Sequence, residues 1–207
     1  MTYRFLTPTV AGFIQQLAVG YVCRGYYFYV SGEIPDGKDP IKTDAKLIAQ
    51  YDIAKSKFTR SRERRRGVAG IQYLRHDRFF LLLATQGQHP FFQREAKNIV
   101  DIRERPLQFA GHSIGFVVNR GIGHPSVRIA RSRFEELKRL FADQSLRLSA
   151  EELGARFGSL PFEPFAPVRG QLLTLLRGVN RARKVAALPL VPGDTLRLLR
   201  KPVRPFE

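Results

Sequence analysis

The sequence predicts an α+β protein with a ferredoxin-like (βαββαβ) antiparallel sheet as its core, an extra β-hairpin strand, and helices packed on that sheet at the C-terminal end. β-forming runs alternate with helically spaced apolar residues between residues 26 and 118. Only His76-Asp77 separates two of these runs, which implies an antiparallel hairpin. We therefore expect an α+β core over residues 1–130 and a helical extension over residues 131–207, packed on the core as one unit.

The first predicted elements are a helix, a strand and a second helix. Thr7 and Pro8 have the residue types of an N-cap and a first-turn proline, and apolar residues at helical spacing follow as far as Tyr21. Residues 26–34 are rich in aromatic and β-branched side chains, end at a Pro-Asp-Gly turn, and predict a strand. A short helix is expected over about residues 44–51.

The remaining core elements follow a basic insertion at residues 52–68. Strands are predicted at Ile71–Arg75 and Arg78–Ala84, and a helix at about Phe91–Arg103. Residues 107–118 predict the fourth strand of the sheet, broken or bulged at Gly111 and Gly115. A glycine-containing turn then leads into a strand at residues 126–130.

The C-terminal part is predicted to be helical. Ser132 with Glu135, and Ser149 with Glu152, have the spacing of a capping box. A long helix over about residues 168–187 and a basic, proline-containing tail complete the chain.

Two tyrosines of the first strand, Tyr27 and Tyr29, share a face and could stack on bases. The neighbouring strand at residues 78–84 is apolar on both faces, however, which indicates that the second face of the sheet is covered. We expect the C-terminal helices to cover it and both tyrosines to be core residues.

Charge is the strongest indication of a partner. Lys and Arg number 35 against 18 Asp and Glu, a formal net charge of +17, which is typical of nucleic-acid-binding proteins, with anionic membranes a weaker alternative. The one cysteine excludes a disulfide scaffold and a cysteine-based zinc finger, and no apolar run is long enough to cross a bilayer. We expect a cytoplasmic protein that has no secretory signal and does not bind a membrane.

Two basic segments are the candidate phosphate-binding sites. In the predicted helix at residues 168–187, cations lie opposite the apolar face, and the tail extends the charge. A solvated surface is the alternative for both segments. The predicted nucleic-acid-binding residues of the insertion are Lys55, Lys57, Arg60, Arg62, Arg64, Arg65 and Arg66, and those of the helix and tail are Arg177, Arg181, Lys184, Arg200 and Lys201.

Catalysis has less support in the sequence. The four histidines show no metal-ligand spacing, so no metal and no cofactor are expected. His89, in a loop at a strand end, and His112, beside two glycines, would be the catalytic candidates if the protein were an enzyme.

Residues 74–82 resemble the segment of the HUH single-strand endonucleases that carries His-hydrophobic-His followed by Leu-Leu. Those enzymes also use the predicted element order. Here Arg78 and Phe80 stand where the two histidines would be. The resemblance therefore implies single-strand binding without the metal-dependent chemistry.

These observations predict a non-catalytic nucleic-acid-binding protein that contacts mainly phosphates, with RNA favoured over duplex DNA. Such a protein would serve as a small subunit of a ribonucleoprotein or mobile-element system, with possible protein partners there. The alternatives are a small nuclease or nicking enzyme on the same core, and a scaffold for an acidic protein.

Overall fold

The structure is a computed structural model that describes residues 3–199 and 203–207. It confirms the predicted α+β class, with antiparallel sheets and several helices. The chain forms two compact units: one takes in residues up to Pro106 with Gly115–Pro125 and the segment from Val203, and the other takes in Leu107–Ile114 and the segment from Ser126 to Leu199. No helix within the described residues is long and apolar enough to cross a membrane.

The first unit contains a four-stranded sheet of order β2-β3-β1-β4, in which adjacent strands run antiparallel. Three of its strands agree with the predicted ones to within two residues. The strands are β1 (Tyr26–Glu33), β2 (Ile71–His76), β3 (Phe79–Thr85) and β4 (Val100–Asp101).

One face of this sheet packs on helices α2 (Pro40–Gln50) and α4 (Pro90–Arg94). The carboxylate of Asp39 accepts the Ile41 N–H at 2.8 Å, so α2 begins at a capped residue. The buried side chains of this core are Val30, Tyr51, Ile53, Ala69, Ile71, Tyr73, Leu82, Ala84 and Phe91.

The leading helix contributes to the opposite face. It consists of α1 (Val10–Gln15), a π-helical turn (Gln16–Tyr21) and a 3₁₀ turn (Val22–Arg24). The ring of Phe13 meets that of Phe79 edge-on at 5.8 Å, on the face opposite Phe80, because successive strand residues alternate. Within this unit, the N-terminal helix therefore covers the second face of the four-stranded sheet.

The late segment of the chain also reaches this helix. A Cβ on Gly12 would lie 2.7 Å from the carbonyl oxygen of Pro205, so only glycine allows the approach.

A buried ion pair lies under the sheet. Asp44 of α2 accepts hydrogen bonds from Arg75 at both carboxylate oxygens, each at 2.8 Å, and from the Tyr73 hydroxyl at 2.7 Å. All three side chains are buried, so the pair is screened from water.

Two predictions between residues 90 and 119 are wrong. Helix α4 ends at Arg94, well before residue 103. Residues 107–118 are broken at Gly111, one of the two predicted alternatives, but they do not supply the fourth strand of the core sheet; they form β5 (Leu107–Phe109) and β6 (His112–Asn119), paired antiparallel. Ala110 and Gly111, at φ 45° and 74°, make the two-residue turn between them. Both strands belong to a second sheet of order β5-β6-β7, with β7 at Ile122–Ile129.

The second unit carries three helices: α5 (Arg131–Gln144), α6 (Ala150–Gly158) and α7 (Ala166–Val185). The Ser149–Glu152 capping box is confirmed, with its two bonds at 3.1 and 2.8 Å. The Ser132 cap is wrong, because α5 begins at Arg131. The core side chains are Ile129, Leu137, Phe141, Leu153, Phe157, Phe162, Val168, Leu172, Leu175, Leu176, Val179, Val191 and Leu196.

A buried arginine holds the ends of these helices. Arg183 of α7 is 2 % exposed. Its Nη1 donates to the carbonyls of Ser145 and Leu148, at 2.8 and 2.7 Å, and its Nε donates to that of Pro189 at 2.5 Å. The guanidinium thus joins the α5–α6 connection to the chain that follows α7.

Candidate nucleic-acid interface

The basic insertion contains helix α3 (Lys57–Arg65). The Ser56 hydroxyl accepts the Thr59 N–H at 3.1 Å and caps its first turn. Gly67, at φ 77°, follows its last turn. Because the segment is helical, its side chains are sorted by helical periodicity onto separate faces.

The cationic side chains of α3 fall into two stripes along the helix. Lys57, Arg60, Ser61 and Arg64 follow the i, i+3, i+4, i+7 spacing and form the stripe that lines a pocket. The adjacent stripe consists of Phe58, Arg62 and Arg65, all exposed. Phe58 is 83 % exposed, so its ring is accessible to a partner.

The pocket beside α3 has a volume of about 280 Å³, and we call it the α3 pocket. Besides the α3 stripe, residues from the π-helical turn and from one end of the core sheet line it. These further lining residues are Gly20, Tyr21, Arg24, Tyr26, Gly70, Gln72 and Thr85. π-Helical turns often mark functional sites, and this one supplies a wall of the pocket.

Arg64 connects α3 to the 3₁₀ turn. Its Nη2 donates to the carbonyl of Arg24 at 2.8 Å, at the carbonyl-rich end of that turn. Gly25 makes this possible in two ways: it adopts φ 88°, and a Cβ there would lie 3.2 Å from the Arg64 guanidinium. The exposed Cys23 is also part of this turn.

Four cations surround the α3 pocket without an acidic partner. Among the residues that the structure describes, no carboxylate pairs with Arg24, Lys57, Arg60 or Arg64. The charge of Arg60 acts on Tyr21, whose pKa is raised by burial and lowered to a smaller extent by that cation. The pocket therefore carries a positive field that an anion would neutralise.

Lys55 differs from these four cations. Its ammonium lies 3.0 Å from the Asp52 carboxylate and 2.7 Å from that of Glu63, and its side chain is only 18 % exposed. Both contacts favour its charged form and raise its pKa, although burial acts in the opposite direction as the largest single influence. Lys55 stabilises the local fold and is already neutralised.

The floor of the α3 pocket is polar. Gln72 is 5 % exposed, its Oε1 accepts from the Tyr3 hydroxyl at 3.3 Å, and its Nε2 has no hydrogen-bond partner within the described part of the chain. The hydroxyl of Thr85 accepts the Gly70 N–H at 2.9 Å. An unsatisfied buried amide is costly, and this one belongs to a residue that lines the pocket.

A larger groove of about 640 Å³ lies beside α2. Its charges balance, because three lysines and three acids line it: Lys38, Lys42, Lys46, Glu33, Asp39 and Glu95. It therefore lacks the excess positive charge of the smaller pocket.

The other predicted cations lie outside the α3 pocket. Arg62, Arg65 and Arg66 are exposed on or just beyond α3. Arg177, Arg181 and Lys184 are exposed along α7, opposite its buried apolar side chains. Arg200 and Lys201 lie outside the described residues.

Both candidate catalytic histidines make hydrogen bonds to the backbone. His89 is the N-cap of α4, where its Nδ1 accepts the Phe91 N–H at 3.1 Å. His112 is 1 % exposed, and its Nδ1 donates to the Ala110 carbonyl at 2.9 Å. The structure therefore gives His112 no access to a polynucleotide substrate.

Arg78 and Phe80, which stand where the HUH segment has its two histidines, also make contacts within the fold. Arg78 donates from Nε to the Ile34 carbonyl at 2.6 Å, and Phe80 packs on Tyr73. Within residues 3–199 and 203–207, no three His, Cys, Asp or Glu side chains are grouped as metal ligands would be.

His112 makes the stability of the protein pH-dependent. Burial lowers its pKa, because Nε2 has no partner among the described residues and protonation would leave a charged N–H unsatisfied. The unfolded chain binds this proton below about pH 6.5 and the folded chain only at lower pH, so the free energy of unfolding falls as the pH drops below about 6.5.

We expect His112→Gln to flatten this decrease in urea unfolding curves recorded between about pH 7.5 and pH 5. Burial and Lys55 also lower the pKa of His89, so part of the decrease should persist. The matched control is His124→Gln at an exposed position. Parallel pH profiles for His112→Gln and the unmodified protein would contradict the assignment.

Sequence reasoning found the cations of α3 and missed the rest of the pocket. Arg24, Tyr26, Gln72 and Thr85 come from separate elements that only the fold brings together. The sequence gives no specific signal for them: Gln72, for example, shares its predicted strand with another polar residue, Arg75.

No protein-family model matches the chain, and no curated protein shows significant sequence similarity to it.

Proposed function

We propose that this protein binds nucleic acid without cleaving it, and that α3 and the α3 pocket form its principal contact with the phosphate backbone. The observation that carries the proposal is a set of four cations that surround a concave, polar pocket and have no acidic partner among the described residues. Arginine grips phosphate through a planar fork of donors, and three of the four cations are arginines.

The exposed stripe of α3 supports the same function. Phe58 lies between cations on a solvent-facing surface, where its ring could stack on an unpaired base. Stacking on a single aromatic ring needs bases that are not paired in a duplex. Single-stranded or structured RNA is therefore the favoured ligand, with single-stranded DNA as the alternative.

A ferredoxin-like relationship of the core is part of this proposal. The order β2-β3-β1-β4, with helices between β1 and β2 and between β3 and β4, agrees with a split βαβ arrangement. This arrangement hosts many functions, so it supports the proposal only weakly. The role as a subunit of a ribonucleoprotein or mobile-element system, and the cytoplasmic location, remain predictions from the sequence.

Removing three pocket cations should weaken binding. We expect Lys57→Gln/Arg60→Gln/Arg64→Gln to lower the affinity for a single-stranded RNA of about ten nucleotides by about 100-fold, or about 1 kcal/mol per lost charge-assisted contact. Fluorescence anisotropy between about 50 and 200 mM salt should also show a shallower dependence of log K on log salt, by roughly two units.

The matched control is Arg131→Gln/Arg139→Gln/Arg156→Gln, which removes three exposed positive charges from α5 and α6. If both triple variants lose affinity equally, net charge rather than α3 drives binding. No binding of RNA or DNA by the unmodified protein at about 100 mM salt would exclude the proposal and favour an acidic protein partner. Shortened RNA in the binding reactions would instead support the nuclease alternative.

A further inference from the structure

We propose that the α3 pocket binds the terminal phosphate of a nucleic-acid strand, in preference to an internal phosphodiester. This inference rests on the proposed function, because it names the part of the nucleic acid that occupies the same site. Three properties of the pocket lead to it: its volume, its charge and its polar floor.

The volume limits what can enter. About 280 Å³ is just below the roughly 300–1,000 Å³ of pockets that enclose a drug-sized ligand. The space accommodates a phosphate with its sugar, but it does not accommodate a run of nucleotides. A strand end can place its last phosphate inside while the rest of the strand follows the exposed surface of α3.

The charge exceeds what an internal phosphodiester needs. That group carries one negative charge, whereas Arg24, Lys57, Arg60 and Arg64 bring four positive charges to the pocket. A terminal phosphate carries about −1.5 to −2 at pH 7 and presents three acceptor oxygens. It therefore neutralises more of the field and accepts more of the available donors.

The floor of the pocket contains an uncharged donor, the side-chain amide of Gln72. Gln72 is only 5 % exposed, and its Nε2 has no hydrogen-bond partner among the described residues. A backbone phosphate held at the surface by long cations would leave this amide unsatisfied. That nitrogen is itself buried, so the amide must rotate toward the pocket before a phosphate oxygen at the floor can accept its N–H.

The adjacent stripe of α3 (Phe58, Arg62 and Arg65) is placed to contact the nucleotide next to the bound terminal phosphate. Phe58 and Arg62 lie one helical step away from the pocket stripe and are exposed. A base adjacent to the bound terminus could stack on Phe58.

The test compares three RNAs of one sequence that carry a 5′-phosphate, a 3′-phosphate or hydroxyls at both ends. We expect one phosphorylated RNA to bind about tenfold more tightly than the hydroxyl form, the equivalent of one charge-assisted hydrogen bond. Inorganic phosphate should reduce this preference. The preference should also decline below about pH 6, where a terminal phosphate loses its second charge.

Variants test whether the preference for a terminal phosphate depends on the α3 pocket. Gln72→Leu, which does not change the net charge, and Lys57→Gln, at an exposed position, should each reduce the preference to less than about threefold. Arg62→Gln removes one charge from the same helix outside the pocket, and it should lower the affinity for all three RNAs while the preference remains. If Gln72→Leu fails to fold, Lys57→Gln and Arg62→Gln still provide the comparison.

Two results would overturn the inference and leave the proposed function standing: equal affinities for the three RNAs, or a preference that both pocket variants retain. If none of the RNAs binds at all, the proposed function itself fails.

Discussion

Replacing Arg183 with methionine should lower the free energy of unfolding by about 3 kcal/mol. Methionine keeps much of the volume and the apolar stem, so the change mainly removes the guanidinium. The carbonyls of buried Ser145 and half-buried Leu148 then lose their donor, and so does that of Pro189, an exposed residue that water can reach. A buried acceptor left without a donor costs about 1–3 kcal/mol, and relief from burying a charge offsets part of the total.

Urea unfolding followed by circular dichroism measures this effect. The matched control is Arg181→Met, which makes the same change on the exposed side of α7 and should alter stability by less than about 0.5 kcal/mol. A similarly small loss for Arg183→Met would mean that water replaces the guanidinium at the three carbonyls.

Breaking the buried pair of the first unit should have an effect of comparable size. We expect Asp44→Leu to cost about 3–5 kcal/mol, because it leaves the Arg75 guanidinium charged and unpaired under the sheet. The Tyr73 hydroxyl also loses its acceptor. The carboxylate is thus the common partner of two buried donors.

A double-mutant cycle separates the pair from its surroundings. Arg75→Met added to Asp44→Leu removes the stranded charge, so the double variant should lose at least about 1.5 kcal/mol less than the two single losses summed. Urea unfolding of the four proteins gives this coupling energy. Additive losses would show that the two side chains act independently, contrary to their 2.8 Å contacts.

Local patterns in the sequence were sufficient for the three long strands of the core. Their aromatic and β-branched runs required no information from distant residues, and neither did the two-residue connection, which was predicted at His76-Asp77 and lies one residue later, at Asp77-Arg78. The turn at Ala110-Gly111 could not be anticipated in this way. Alanine rarely adopts a positive φ, and the observed value of 45° depends on the pairing of β5 with β6.

The candidate site shows the same division between local and distant information. The charges of α3 are visible as letters in the sequence, but their sorting into a pocket stripe and an outer stripe depends on the helix that Ser56 caps. Lys55 contacts Asp52 and Glu63, which are three and eight residues away in the chain, but the local fold decides that it pairs with these acids while its neighbour Lys57 does not. Gln72 became a candidate only when its neighbours failed to satisfy its amide.

The first unit is assembled from three separate stretches of chain, and the last of them begins at Val203. On a ribosome, where the polypeptide appears from its N-terminus onward, Gly12 is made nearly two hundred residues before Pro205, the residue it approaches most closely. The N-terminal helix therefore cannot reach its final packing during synthesis of the sheet beneath it. Its last contacts form only after Val203 to Glu207 have been synthesised, so a nascent chain halted before Val203 would expose the surface around Gly12 to chaperones and proteases.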